Sequence, residues 1–219
     1  MVEVLRNKLQ TIIAKYERLN LDTPQYRSLV KMVKDEKWLK ERAEIMSKIV
    51  NSEKIFDVSK EISAQKNDVR LDEAFAELDT GKNLATTGFY GTFDTVIYQP
   101  PEKNKRWPDF IAKNKTGITP VEVKLLTPSD LSETKFFQKF IDKVNNHAMP
   151  QLDSFYATQR FEHSYIFIWS YQPIPLHKLE YGDLRNWVDS KVIKPTDYDV
   201  TLLCNFYGIG MWDFPLRRS

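Results

Sequence analysis

Seven consecutive residues, Tyr165-Ile166-Phe167-Ile168-Trp169-Ser170-Tyr171, are almost all apolar, β-branched or aromatic. Side chains on a strand alternate between faces, so a strand without polar alternation must be covered on both sides. This run is therefore expected to be an interior strand of a sheet with packed layers on each face. At 219 residues the chain has room for one such domain, or one domain with a helical appendage.

The elements around that strand fall into two textures. In the first 80 residues Leu5, Leu9, Ile12, Tyr16 and Leu19 recur at spacings of 4, 3, 4 and 3, the stripe of one packed helix face. Asn20 to Pro24 breaks it, with Asp22 or Thr23 as N-cap and Pro24 at the first position of a second helix running towards Val50. Shorter helices are expected over 55–65 and 70–80. From Thr87 onward the pattern predicts strands at 93–99, 109–112 and 119–126, with a turn at 114–117 between the last two. One or two helices over 129–160, broken at Pro150, lead to the apolar strand. A short helix near 181–190 and a strand pair between Val200 and Phe214 follow. The expected class is α/β (α+β): a central mixed β-sheet flanked by helices, with an N-terminal helical region over 1–70 and a core over 71–219.

Composition narrows the function classes. The single cysteine excludes an internal disulfide, a CxxC pair and a multi-cysteine zinc knuckle. No apolar run approaches the roughly 18 residues of a membrane helix, and no leader pattern opens the chain, so a soluble cytoplasmic protein with no membrane partner is expected. The net charge of +2 divides unevenly: residues 1–70 carry 15 Lys+Arg against 11 Asp+Glu, and residues 71–219 carry 17 against 19. A polyanion partner is permitted by this balance but not required.

The segment that carries chemistry is Trp107-Pro108-Asp109-Phe110 followed, after eleven residues, by Glu122-Val123-Lys124. Strand alternation sets Glu122 and Lys124 on one side, with Val121 and Val123 directed into the core. If Asp109 opens the neighbouring strand of a hairpin, its carboxylate reaches Glu122. Two carboxylates and a backbone carbonyl form an oxygen-rich site suited to Mg²⁺, and an adjacent lysine can orient an attacking water. Acidic-x-Lys occurs four times, at 35–37, 122–124, 133–135 and 189–191. The copy at 122–124 alone lies on an apolar strand at hairpin distance from the chain's single Pro-Asp pair.

Pro108-Asp109-Phe110 with Pro120-Val121-Glu122-Val123-Lys124, preceded by an acidic helix and followed by a long helix and a buried strand, resembles the PD-(D/E)XK nuclease superfamily. That superfamily includes type II restriction endonucleases and Holliday-junction resolvases, and the resemblance covers roughly residues 70–172. It implies a restriction-endonuclease-like core in which Asp109, Glu122 and the Val123 carbonyl hold Mg²⁺ and Lys124 is catalytic. It also implies an acidic residue on the preceding helix, Glu77 or alternatively Glu73. Gln151-Leu152 with Tyr156 echoes a Gln-Leu-x-x-Tyr signature of some members, one residue too long. The function implied is Mg²⁺-dependent hydrolysis of double-stranded DNA, first as a type II restriction enzyme. A structure-specific repair or recombination nuclease and a catalytically silent nucleic-acid binder are the alternatives. No small-molecule cofactor is expected, and the N-terminal helices suit a homodimer or a DNA clasp.

Other candidates are weaker. His147, His163 and His177 lack metal-ligand spacing, and Cys204 lies in an apolar run that reads as core. Gly208 and Gly210 form an isolated GxG. Asp94 could replace Asp109 were the hairpin longer, and Asn104, Lys105 and Arg106 are candidate base-reading residues in a loop.

Overall fold

The computed structural model describes residues 1–57, 67–86, 92–99, 107–127, 133–171, 180–207 and 209–218. The chain divides into two compact units, Met1–Pro100 and Pro101–Ser219. The expected boundary at 70/71 falls inside a helix, Asn67–Thr86, which belongs to the first unit. Composition changes after that helix, but the helix packs with the helices before it.

In the first unit α1 (Val2–Arg18) buries Leu5, Leu9, Ile12 and Tyr16 completely and Leu19 in part, as the 4-3-4-3 spacing predicts. Thr23 caps α2 (Pro24–Lys34) by accepting from the Tyr26 amide, and Pro24 occupies the first turn, where its missing N–H costs nothing. The expected long second helix is two helices. Asp35 takes an extended conformation and its carboxylate caps α3 (Glu36–Ser47) through the Trp38 amide at 3.0 Å. An Asp competes with helical hydrogen bonding by offering its own oxygen, which ends one helix and starts the next. Ile49–Val50 then forms a short strand, β1, parallel to β2 (Thr95–Tyr98). Residues 52–54 make a 3₁₀ turn and 55–57 a further turn; the rest of the helix expected over 55–65 lies outside the described residues. The helix expected at 70–80 is the longer α4 (Asn67–Thr86).

The second unit is the α/β core. Strands β3 (Phe110–Asn114) and β4 (Gly117–Leu125) form an antiparallel hairpin. Strand β4 then runs parallel to β5 (His163–Ser170), and β5 runs parallel to β6 (Asp199–Phe206). Strand β7 (Gly210–Leu216) closes the set antiparallel to β6, so the sheet is mixed. The apolar run is interior as expected: Ile166, Phe167 and Ile168 have no exposed surface.

Residues 133–156 follow one helical path: α5 (Glu133–Asp142), a π-helical stretch Lys143–Ala148, and α6 (Met149–Tyr156). Pro150 does not break it. A proline inside an α-helix loses a hydrogen bond and collides with the carbonyl four residues back, and the widened π turn ahead of Pro150 relieves that conflict. Phe136, Phe140, Leu152 and Phe155 from this path pack with Ile166, Ile168, Leu202 and Cys204 of the sheet. Helix α7 (Tyr181–Lys191) joins the layer through Trp187, stacked on Phe137 with ring centroids 4.5 Å apart. Among the described residues no helix is long and apolar enough to cross a membrane.

Because Leu9 is wholly enclosed, Leu9→Ala should destabilise the first unit by about 2–5 kcal/mol, as large-to-small core substitutions do. Chemical denaturation of the variant beside the wild type measures this, and a loss below about 1 kcal/mol would show that the stripe packs loosely.

Candidate active site

The hairpin register pairs Phe110 with Val121 and Asn114 with Gly117. At its turn the Asn114 side-chain oxygen accepts from the amides of Thr116 and Gly117 and from the Thr116 hydroxyl, and Gly117 takes a φ of 153°, which a side chain would oppose. At the other end the same register sets Asp109 opposite Glu122 and Pro108 opposite Val123. Directly opposed residues of a hairpin share a face, with Cβ atoms about 5 Å apart, so the two carboxylates meet. Proline has no N–H, so the Val123 carbonyl receives no ladder donor from Pro108. The Val123 N–H is taken instead by Asp109, whose Oδ2 accepts it at 2.7 Å. Pro108 thus supplies no donor to the ladder, and the carboxylate that follows it accepts the Val123 N–H in place of a backbone carbonyl.

Burial differs from the sequence expectation. The alternation predicted Val121 and Val123 in the core, with Glu122 and Lys124 on the other side. Glu122 is itself fully buried, because β4 is paired on both edges and helices cover its Glu122 face. Parallel register puts Glu122 beside Ile166 and Lys124 beside Ile168, both members of the helix-covered core. The site therefore lies in an apolar wall, not on a solvated edge hairpin.

Lys124 Nζ donates to Glu122 Oε2 and lies 3.9 Å from Asp109 Oδ2, with 12% of its side chain exposed. The second oxygen of Glu122, Oε1, is buried without a hydrogen-bond partner. Burial drives the Glu122 carboxyl well above the ordinary carboxylate range; the Lys124 ammonium pulls it down by less, and Asp109 pushes it up again through its charge and through a hydrogen bond between the two carboxyl groups. A buried carboxylate is costly: in the metal-free protein a retained proton offsets that cost, and a bound cation would offset it in the proton's place. Asp109, Glu122 and the Val123 carbonyl are hard oxygen donors of the kind Mg²⁺ accepts while keeping several waters. The residues fit that ion. Among the described residues no cluster of three or more His, Cys, Asp or Glu could hold a metal ion, so an ion at this pair would draw its remaining ligands from backbone and water.

Two further groups adjoin the hairpin: Lys139, which the sequence did not single out, and Gln151 of the Gln-Leu echo. Lys139 of α5 donates to the Thr127 carbonyl at 3.2 Å and to the Thr127 hydroxyl at 2.8 Å, just beyond the end of β4. Burial and the neighbouring Lys143 lower its pKa. The four-residue spacing of Lys135, Lys139 and Lys143 was the available signal. Gln151 of α6 donates to the Trp107 carbonyl at 3.4 Å, and the Trp107 ring lies against Phe155. Gln151 thus touches the segment leading into Asp109.

Tyr156 does not accompany Gln151. Its hydroxyl donates to the Asp197 carbonyl, and it lines a cleft of about 380 Å³ beside the hairpin turn with Arg160, His163 and Arg218. The two helix carboxylates, equivalent by periodicity, differ in the first unit. Glu77 is buried and accepts from the Tyr98 hydroxyl at 2.8 Å, with Arg70 3.6 Å away, whereas Glu73 is half-buried and pairs with Arg70. Asp94 is exposed ahead of β2, while Asp109 holds the place opposite Glu122. His147 sits beside Asp142, His163 beside Thr201, and burial raises the Cys204 thiol pKa, so Cys204 reads as core. Asn104, Lys105, Arg106, His177 and Gly208 lie outside the described residues. Comparisons with protein-family models, curated proteins and solved structures give no match.

Burial makes the folded protein hold the Glu122 proton more tightly than the unfolded chain does. Across the interval between the ordinary carboxylate range and the raised value, the folded state therefore binds more protons. Stability of the metal-free protein should fall as pH climbs through that interval. Glu122→Gln should flatten this fall, raising the Tm relative to wild type at pH 8 and changing it little at pH 4. Thermal melts in EDTA across that range test it; parallel wild-type and variant curves would mean that Glu122 does not titrate there.

Proposed function

We propose that this protein is a Mg²⁺-dependent endonuclease that hydrolyses phosphodiester bonds of DNA. The observation that carries the reading is the buried, partly unpartnered Glu122 carboxylate facing Asp109, with Lys124 between them, at the end of a hairpin ladder that Pro108 terminates. Such a group is expensive for a purely structural role.

In this reading Asp109, Glu122 and the Val123 carbonyl hold the ion. When bound, Mg²⁺ supplies charge neutralisation for the phosphate and acidifies the attacking water. Glu122 anchors Lys124, so the ammonium is fixed where it can donate to the water or to a phosphate oxygen. Asp109 keeps the end of β3 tied to β4 through the Val123 amide, so the two carboxylates hold one geometry. The apolar wall of Ile166 and Ile168 strengthens each of these electrostatic contacts by excluding water.

A type II restriction enzyme is the first form of the proposal, with a structure-specific nuclease as the second; the exposed Trp107 beside the site favours the second. Asp109→Ala and Glu122→Ala should each reduce metal-dependent cleavage of plasmid DNA to background. Lys124→Ala should lose turnover while DNA binding persists in Ca²⁺, which occupies oxygen sites with looser geometry. Near wild-type cleavage by Glu122→Ala, or cleavage that persists in excess EDTA, would defeat the mechanism.

Cutting both strands of a duplex needs two sites or a rebinding step, and on that ground the active form is proposed to be a homodimer. The α1 stripe gives it little support, since Leu5, Leu9, Ile12 and Tyr16 are already fully covered and Leu19 is covered in part. Sedimentation of the full chain, free and on duplex DNA, should show a two-fold species; a monomer in both states removes the dimer and leaves the site argument standing.

A further inference from the structure

Trp107 is one of the few large apolar side chains in the described structure that remain open to solvent, at 44%. Its position sets it apart from the others. It lies two residues before Asp109, in the segment whose next residue, Pro108, ends the hairpin ladder. It is also fastened at two points: Gln151 donates to its carbonyl, and its ring leans on buried Phe155 with centroids 5.8 Å apart at 57°. Both fastening residues come from α6, a helix otherwise committed to the core. The backbone of Trp107 is tied and one part of its ring is in contact, while 44% of the residue stays open to solvent. Such a ring suits stacking, because a nucleobase can cover it with little further loss of conformational freedom.

We propose that Trp107 is a stacking platform for an unpaired nucleobase next to the phosphate that is cut. The inference rests on the nuclease reading above and narrows its substrate class. A base inside an intact duplex already has both faces covered, so a fixed indole gains most from a base that is single-stranded, overhanging or frayed. The preferred substrate is accordingly DNA with unpaired nucleotides at the cleavage point. Stacking is indifferent to base identity, since every base has a π-face, so the platform selects for strand structure and not for sequence.

The test uses the full chain and three oligonucleotides of shared sequence: a single strand, a blunt duplex, and a duplex with a single-stranded overhang. Binding is measured in Ca²⁺ and cleavage in Mg²⁺, for wild type, Trp107→Phe and Trp107→Ala. Thermal melts establish that each variant is folded. Trp107→Ala should weaken binding to the single strand and the overhang by roughly ten-fold or more, the scale of one lost base stack. Blunt-duplex binding should change by less than about two-fold, and Trp107→Phe, which keeps a ring, should recover most of the loss. Equal loss on all three substrates would overturn the preference for an unpaired base. No loss on any substrate, in a wild type that cuts, would overturn the platform and leave the nuclease reading intact. A wild type that neither binds nor cuts any of the three overturns the platform, and the nuclease reading then stands or falls on the plasmid assay above.

Discussion

Glu122 is a carboxylate held where water does not reach, and the surrounding arrangement follows from that. It sits near the middle of the sheet's apolar wall, one oxygen held by Lys124 and the other unpaired. A buried charge is tolerated when it is paired or neutralised, and here burial favours the neutral, protonated carboxyl until a cation could take the proton's place. Lys124 can serve because it lies two residues along the same strand face, and Asp109 because the hairpin register sets it directly opposite. Each partner is placed by backbone geometry and not by a flexible loop. The ladder ends at the same point, since Pro108 cannot donate and Asp109 takes up the Val123 amide with its side chain. Chemistry and strand termination therefore share two adjacent residues.

Much of this was readable in the chain. The Pro-Asp pair, the acidic-x-Lys copy on an apolar strand and the turn residues between them fix a hairpin whose alternation sets Glu122 and Lys124 on one side. The degree of enclosure was not readable. Whether β4 is an edge or an interior strand depends on β5 and on the helices over it, contributed by residues that follow it by roughly ten to forty positions. Local pattern cannot count the layers that later chain will supply. Asp35 shows the reverse: a local capping preference that ends a helix, masked in the sequence by apolar spacing that continues past it. Pro150 was expected to break a helix, and packing on both sides of it, through Phe140 and Leu152, holds the path together at the cost of a widened turn.

The first unit shows how an apolar stripe is to be read. Leu5, Leu9, Ile12 and Tyr16 on α1 must be covered, and a second copy of the chain is one way to cover them. Within its own unit the stripe is already enclosed, with Tyr16 lying near-parallel to Tyr26 of α2 at 6.0 Å. Helical periodicity specifies that a face is buried but not which surface buries it.

The widened turn at Lys143–Ala148 has a consequence of its own. Each residue in an α-helix advances by about 100°, so a π turn, which holds one residue more, shifts the angular phase of everything after it. Helix α5 directs Lys139 to Thr127, and α6 directs Gln151 and Phe155 to Trp107. The angle between these two bearings is set by the count of residues in the stretch between them. Loss of a single residue there would rotate α6 against α5 by roughly that 100° without changing any side chain at either end. Insertion and deletion at this point, more than substitution, would be the route by which such a chain re-aims one half of its helix relative to the other.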